Sequence, residues 1–320
     1  MLNVYEKISN LTIQNMKIYI NKARESWVVD RFRSEWLKHS KNKTRFLKQA
    51  DVVWIIAPWT WQNLNTSILK NKKIVCTIHH IDLDKFDKKQ KEEFYIRDKF
   101  IDEYHVPSNS SYKQLRKLTD KKINAIPFWI DNEKFFHINN KKEIRNRYLI
   151  PEDKFVVGSF QRDTEGSDLV SPKLSKGPDL LIKYLNEMNV DNENLFILLS
   201  GYRRQYIIKE LNRLNIDYKF IERPSFKVLN ELYNTLDLYI VASRVEGGPQ
   251  SIMECGLIQV PIVSTNVGLA EEILSKKSII VNDINSATPD TIYAREKVEK
   301  HILPKGIHEF EKMFKRINED

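Results

Sequence analysis

Two carboxylates in the segment VASRVEGGPQSIMECG (241–256) stand where they can act on one ligand: Glu246 and Glu254, with seven residues between them. Glu246 follows an apolar run, LDLYIVAS (236–243), and Gly247 and Gly248 stand directly behind it. Pro249 comes next, where the first residue of a helix is expected, a position that needs no N–H and already has a helical φ. The helix then runs to about Leu257. Two glycines let a ligand reach bare backbone. A helix N-terminus presents unsatisfied N–H groups and the positive end of the dipole, which suits an anion such as phosphate. A carboxylate can accept two hydrogen bonds from a vicinal diol. Glu246 lies outside the helix and Glu254 about one and a half turns inside it. One acid on a sugar and one on a ribose, with diphosphate between, describes a nucleotide sugar.

Such residues need elements to hold them. The second half of the chain alternates short apolar runs with amphipathic ones. KFVVGSF (154–160), NLFILLSG (194–201), YKFIE (218–222), LDLYIVAS, VPIVST (260–265) and SIIV (278–281) read as buried strands. Helical patterns fall near 178–188, 203–214, 225–235, 249–258 and 269–275. The first half repeats the alternation, with strands at 16–20, 51–57, 73–79 and 122–127 and helices at roughly 26–39, 62–70, 85–101 and 109–119. Strand–helix alternation predicts mostly parallel sheets, and open parallel sheets bind ligands outside the carboxyl ends of their strands. The expected fold class is α/β, with two Rossmann-like parallel-sheet domains over 1–130 and 131–286 and terminal helices over 287–320. Residues 128–153 read as the connection, and Pro304 and Gly306 mark a break near the end.

The stretch SRVEGGPQSIMECG resembles the E-x7-E signature of the GT-B retaining glycosyltransferases of family 4 (group 1), and PIVSTNVGLAEEI (261–273) is similar to that family's continuation. The resemblance runs over 154–282 and, more weakly, over 74–135. It implies a GT-B architecture, with two Rossmann-like domains facing a cleft. It further implies transfer of a hexose-type sugar, with retention, from a nucleoside-diphosphate sugar to a glycan or lipid-linked acceptor, without a metal or other cofactor. Residue by residue, the resemblance gives Glu246 the donor hexose and Glu254 the ribose. The N–H groups of Gly248, Gln250 and Ser251, in the loop that also holds Gly247, would hold sugar hydroxyls and phosphate. Arg162 and Lys176 would grip the diphosphate, with Lys173 competing for that role, and Arg223 would lie near the base. His79 in CTIHHIDLDKF matches the family's histidine close to the donor sugar, and His80 is the second candidate. IPFWIDNEKF (126–135) resembles the interdomain segment, with Trp129 where the family has Gly. The loop NKARESWV (21–28) departs from the family's Gly-rich loop, and Lys22 and Arg24 are the residues there that could supply an altered contact. The implied chemistry is front-face attack, with the leaving phosphate oxygen taking the acceptor proton.

Composition bounds the alternatives. Hydrophobic residues make up 41% and charged residues 30% of the 320, which supports a packed core and argues against a disordered chain. No apolar run approaches the roughly 18 residues of a membrane-spanning helix. The opening MLNVYEKISN has no apolar block of a signal peptide. Cys76 and Cys255 are too few for a disulfide framework or a zinc site, so a cytoplasmic protein is expected. Asp82-x-Asp84 reads as surface and not as a Mg²⁺ site. Residues 1–130 hold 25 Lys and Arg against 14 Asp and Glu, whereas the remainder holds 27 against 29. The basic half reads as a lysine-rich solvated surface, or as a face for an anionic membrane and a lipid-linked acceptor. No nucleic-acid motif accompanies the charge, so no nucleic-acid partner is expected. A phosphorylase, an epimerase and a non-catalytic nucleotide- or nucleic-acid-binding protein of the same fold are the alternative readings.

Overall fold

The computed structural model describes residues 16–25, 28–83 and 85–319. The opening MLNVYEKISN, Ser26 and Trp27 of the early loop, and Asp84 of the Asp-x-Asp pair lie outside the described residues. The chain divides into two compact units. One takes the described residues up to Val106, Ser111–Ile126 and those from Leu303 onward; the other takes Pro107–Ser110 and Pro127–Ile302.

The first unit is built from β1 (Ile18–Ile20), α1 (Val28–His39), β2 (Val52–Ile55), α2 (Thr66–Leu69), β3 (Lys73–Thr77), α3 (Lys88–Asp98), β4 (Glu103–Val106), α4 (Asn109–Leu115, which starts in the second unit) and β5 (Lys122–Ala125). The strands form one parallel sheet in the order β1-β2-β3-β4-β5. Strand β4 is absent from the sequence reading because Glu103 and His105 interrupt its apolar run, yet all four of its residues are buried. Each polar side chain has a partner. His105 Nε2 faces the Ile126 carbonyl at 2.8 Å, which places the ring proton there. Its Nδ1 therefore accepts from the Thr77 hydroxyl at 2.9 Å, and that hydroxyl accepts from Trp54 Nε1 at 2.8 Å. Side chains alternate across the sheet. Val53, Ile55, Cys76 and Tyr104 pack on one face. On the other, Trp54 meets Trp36, Phe310 and Phe314 at ring-centroid distances of 5.2–5.6 Å.

The second unit runs through α5 (Lys141–Arg147), β6 (Phe155–Ser159), α6 (Pro178–Glu187), β7 (Leu195–Gly201), α7 (Gln205–Arg213), β8 (Asp217–Glu222), α8 (Phe226–Tyr233), β9 (Leu238–Val241), α9 (Gln250–Ile258), β10 (Ile262–Thr265), α10 (Ala270–Ile273), β11 (Ile279–Ile280) and α11 (Thr291–Glu299). Its six strands are parallel, in the order β11-β10-β9-β6-β7-β8. That is the doubly wound arrangement, in which the strand order reverses between β6 and β9. Val156, Leu198, Tyr239 and Val241 fill one side of the sheet, and Val157, Ile197, Leu199 and Ile240 the other.

The terminal segment 287–320 is not one body. Helix α11 stays with the second unit, packed so closely on α9 that a Cβ at Gly256 would meet Val298 Cγ2 at 2.9 Å. The last helix, α12 (His308–Glu319), belongs to the first unit. It supplies Phe310 and Phe314, and Arg316 forks onto Glu103 at 2.5 and 2.7 Å. The described boundary also falls at Ile126/Pro127, a few residues before the expected 130/131.

Candidate donor site in the second unit

The switch point lies between β6 and β9, and the candidate residues follow these two strands directly. Gly177 explains how the two loops meet. Its φ is +59°, and a Cβ there would stand 1.8 Å from the Ala242 carbonyl oxygen. Only glycine lets the turn after β6 press against the end of β9. Pro178 then occupies the first position of α6.

Across this contact Lys176 Nζ forms an ion pair with Glu246 Oε1, and both side chains are mostly buried. The Ser243 hydroxyl stands 3.2 Å from Glu246 Oε1 and 3.2 Å from Gln161 Oε1, and Gln161 Nε2 donates to the Lys176 carbonyl at 2.9 Å. The amides of Arg244 and Val245 donate to the Ser175 carbonyl at 2.9 and 3.0 Å. The Arg244 guanidinium forks onto Asp179 at 2.7 and 2.5 Å and donates to the Leu174 carbonyl at 3.0 Å. The turn carrying Lys176 and the loop carrying Glu246 are thus held as one assembly.

Pro249 is the N-cap of α9 and not its first helical residue; its ψ is 115°. Gln250 and Ser251 are therefore the first two helical residues, ahead of Ile252, whose N donates to the Pro249 carbonyl at 3.1 Å. Gly248 and Gly247 complete the loop. Glu254, in the second turn of α9, is buried, and its Oε2 accepts from the Tyr233 hydroxyl at 2.7 Å. Burial, with the Glu254 charge next to it, raises the Tyr233 phenol well above its ordinary range.

Arg162 is half-buried in the loop after β6, and its Nε donates to the Thr164 carbonyl at 2.9 Å. Next to it, Asp163 and Arg204 form an ion pair with side chains 2% and 0% exposed. Lys173 N donates to the Asp163 carbonyl at 2.7 Å, which closes the base of the same loop. Arg223 lies two strands from the switch point, at the end of β8. Its φ is +44°, and its guanidinium stacks 3.9 Å over the Tyr202 ring at the end of β7. Lys176, Glu246, Gly247, Gly248, Gln250, Ser251, Glu254 and Arg162 therefore all stand on elements around the β6/β9 switch, with Arg223 to one side.

His79 belongs to the first unit. Its Nε2 faces the Ile56 carbonyl at 2.8 Å, so that nitrogen carries the proton, and Trp59 lies 5.8 Å away ring to ring. Burial pushes its pKa down to about 4, so the ring is neutral at pH 7. Sequence reasoning missed Gln161, Ser243, Arg244, Asp179, Asp163, Arg204, Tyr202 and Tyr233. Gln161 and Asp163 flank Arg162, and Ser243 and Arg244 lie in the segment around Glu246, so adjacency to a candidate was the one signal these four carried; the others carried none. Among the described residues no cluster of three His, Cys, Asp or Glu side chains could hold a metal ion, and no helix is long and apolar enough to cross a membrane.

The fold and this site define a class. Residues 140–288 match the family model described as glycosyl transferases group 1, so the second unit carries a group 1 glycosyltransferase domain. Among curated proteins, the O-antigen biosynthesis glycosyltransferase WclY of Escherichia coli is 24% identical over 213 residues, which span 64% of this chain and 55% of WclY. The chain thus covers about half the length of that relative. Among solved structures, Anabaena Alr3699/HepE in complex with UDP and glucose superposes with a TM-score of 0.73 at 13% identity, over 94% of this chain and 99% of that one. Sucrose-phosphate synthase of Thermosynechococcus elongatus gives 0.65 at 15% identity, over 90% and 77%. The fold is that of the GT-B glycosyltransferases.

Proposed function

We propose that this chain is a glycosyltransferase that moves a hexose-type sugar, with retention, from a nucleoside-diphosphate sugar to a glycan or lipid-linked acceptor. One observation carries the reading. Lys176 and Glu246 come from loops 70 residues apart and pair at the β6/β9 switch, inside the segment that matches the family. In the proposed complex the diphosphate takes Lys176 Nζ and Arg162, and Glu246 accepts from hexose hydroxyls. The amides that open α9, at Gly248, Gln250 and Ser251, serve the phosphate and sugar. Glu254, fixed by Tyr233, receives the ribose diol. Arg223 and Tyr202 stand about 10 Å along the sheet at two strand spacings, on the side left for the base.

The charge leaving with the diphosphate is met by Lys176, Arg162 and the α9 dipole, so the reading assigns no metal to that task; positioned groups of this kind supply several kcal/mol at developing charge. Attack comes from the face the diphosphate leaves, and the leaving oxygen takes the acceptor proton. His79, neutral and with Nε2–H donated to Ile56, is given a hydrogen-bonding role near the sugar. HepE was solved with UDP and glucose and WclY acts in O-antigen biosynthesis, so UDP-glucose and glycan acceptors are the first to try. The proposed setting is the cytoplasm, with residues 1–130 on the surface of an anionic membrane and no nucleic-acid partner.

The test is a thermal-shift and slow-hydrolysis panel of UDP-, GDP- and ADP-sugars against the native chain, Lys176→Gln and Glu246→Gln. One nucleotide should raise the melting temperature by mass action, and Lys176→Gln should abolish that rise. Hydrolysis should fall about a hundredfold or more in Glu246→Gln. If no nucleotide sugar is bound or turned over and Glu246→Gln behaves as the native chain does, the reading fails.

A further inference from the structure

The first unit contains a cavity of about 460 Å³ lined by Lys22, Arg33, Ser34, Leu37, Lys38 and Arg45. Four of its six lining residues are cations and none is an acid. We infer that it is a second anion site, built for a phosphate or diphosphate ester. All of its lining residues belong to the first unit, and none of them is a residue the proposed function gives to the donor.

The charge pattern follows from how α1 is used. Arg33, Ser34, Leu37 and Lys38 share one helix face by their i, i+1, i+4, i+5 spacing. The acids of the same helix are turned to other tasks. Glu35 is buried beside Arg31 on the core side, 3.7 Å from its Nε. Asp30 accepts from the amides of Ala23 and Glu25 at 3.1 and 3.0 Å. Both described acids of α1 are thus bonded elsewhere, Glu35 on the core side and Asp30 at the loop before the helix.

The residues are also held in place. Arg33 Nε donates to the Ile20 carbonyl at the end of β1, 3.0 Å away, which orients the guanidinium and leaves its Nη groups for a ligand. Lys22 follows β1 directly, and its carbonyl accepts from the Thr60 hydroxyl at 2.9 Å. Arg45 is carried by a segment pinned to the sheet edge, where Thr44 N donates to the Ile18 carbonyl at 2.9 Å. Like charges gathered round a concave wall focus a positive potential. Guanidinium forks suit phosphate oxygens, ammonium groups add charge, and the Ser34 hydroxyl adds a further donor. Leu37 gives the cavity an apolar wall for the rest of the ester.

Inorganic pyrophosphate is the probe, titrated calorimetrically into the full chain. The comparison proteins are K22Q/K38Q/R45Q, whose three side chains are exposed, and K88Q/K89Q/K91Q on α3, which removes equal charge elsewhere in the same unit. Lys176→Gln removes the donor-site contribution. The native chain and K88Q/K89Q/K91Q should show two pyrophosphate sites. K22Q/K38Q/R45Q should keep one and weaken the other by about tenfold or more, with an unchanged melting temperature. Vesicles of phosphatidylcholine with and without phosphatidylglycerol give the second arm. Loss of pyrophosphate binding with vesicle binding intact assigns the pocket to a soluble ester, and loss of both assigns it to a lipid headgroup. The inference is overturned if K22Q/K38Q/R45Q binds pyrophosphate as the native chain does, whatever its vesicle binding, or if K88Q/K89Q/K91Q loses as much. Loss of the donor reading would show instead as no effect of Lys176→Gln.

Discussion

Replacing Asp163 by Asn should destabilise the second unit by about 3 kcal/mol, the lower end of the cost of breaking a buried ion pair by removing one charge. The side chains of Asp163 and Arg204 are 2% and 0% exposed, so water cannot take over the partnership. Arg204 Nε pairs with Asp163, while its Nη1 donates to the carbonyls of Ser159 and of Ser200 (2.7 Å for the latter) and its Nη2 to the Ser159 hydroxyl at 3.1 Å. The guanidinium thus bolts the ends of β6 and β7 together. Asn keeps the shape and one acceptor, so the loss is the charge and not the packing. For a unit of this size, 1 kcal/mol moves the melting temperature by about 2–4 °C, so a fall of about 6–12 °C is expected. Arg204→Met leaves two carbonyls unpaired and should cost as much or more. The double variant should be no worse than the poorer single by more than about 1 kcal/mol, because the two losses are one interaction.

Urea unfolding followed by two signals locates the damage. Among the described tryptophans, Trp36, Trp54, Trp59 and Trp61 lie in the first unit and Trp129 in the second, so fluorescence reports chiefly on the first, while far-ultraviolet dichroism reports on both. The dichroism transition should move more than the fluorescence transition. Donor affinity should fall with it, since Lys173 N hangs on the Asp163 carbonyl and Arg162 is its neighbour. A stability within about 1 kcal/mol of native, or additive losses in the double variant, would refute the buried-pair reasoning.

Gly177→Ala should destabilise the switch-point loops and abolish nucleotide binding, because its Cβ would stand 1.8 Å from the Ala242 oxygen at a φ of +59°; a variant with native melting temperature and nucleotide-induced shift refutes this. Arg244→Ala should cost only about 1 kcal/mol or less of stability, since the Arg244 and Asp179 side chains are 40% and 35% exposed. It should nonetheless raise the donor KM about tenfold by freeing the Lys176 turn, and Arg244→Lys should not restore it, lacking the fork; an unchanged KM would show that the fork does not position Lys176. Burial lowers the pKa of His79 to about 4 and of His105 to about 3. The unfolded chain binds these protons first, so the stability they contribute is complete above about pH 6.5 and is lost as pH falls toward 4 and then 3. His79 alone accounts for about 3 kcal/mol, and a melting temperature of the first unit that stays flat between about pH 6.5 and 4.5 would count against this.

Much of this was readable in the chain, and the failures have physical causes. Strands β2, β3, β6, β7, β9 and β10 announce themselves as short aliphatic runs, because both faces of a parallel sheet are buried, whereas edge strand β8 is only partly covered. Strand β4 does not announce itself, because its alternate positions are Glu103 and His105. Their burial depends on partners distant in sequence, among them Arg316, which lies 213 residues away from Glu103, and the Ile126 carbonyl and Thr77 hydroxyl for His105. The same long-range pairing hid the destination of α12. Its sequence shows an amphipathic helix, and nothing local says that Phe310 and Phe314 belong on Trp54.

The candidate site divides along the same line. Glu246, the two glycines and Glu254 were legible because they lie on one strand–loop–helix unit, where spacing along the chain is spacing in the structure. The pairing of Glu246 with Lys176 was not, since it depends on β9 lying next to β6, with β7 on the other side of β6. That order is a choice of strand partners, set by how the helices cover the sheet, and no run of residues encodes it alone. Once it is made, the contact of Gly177 with Ala242 follows from sterics, and the ion pair follows from the contact. The polar residues that hold the assembly, Gln161, Ser243 and the Arg244–Asp179 fork, are ordinary surface types in ordinary positions. Their contacts exist only where two loops meet, so the candidate residues could be named from the sequence while the contacts that hold them together had to be seen.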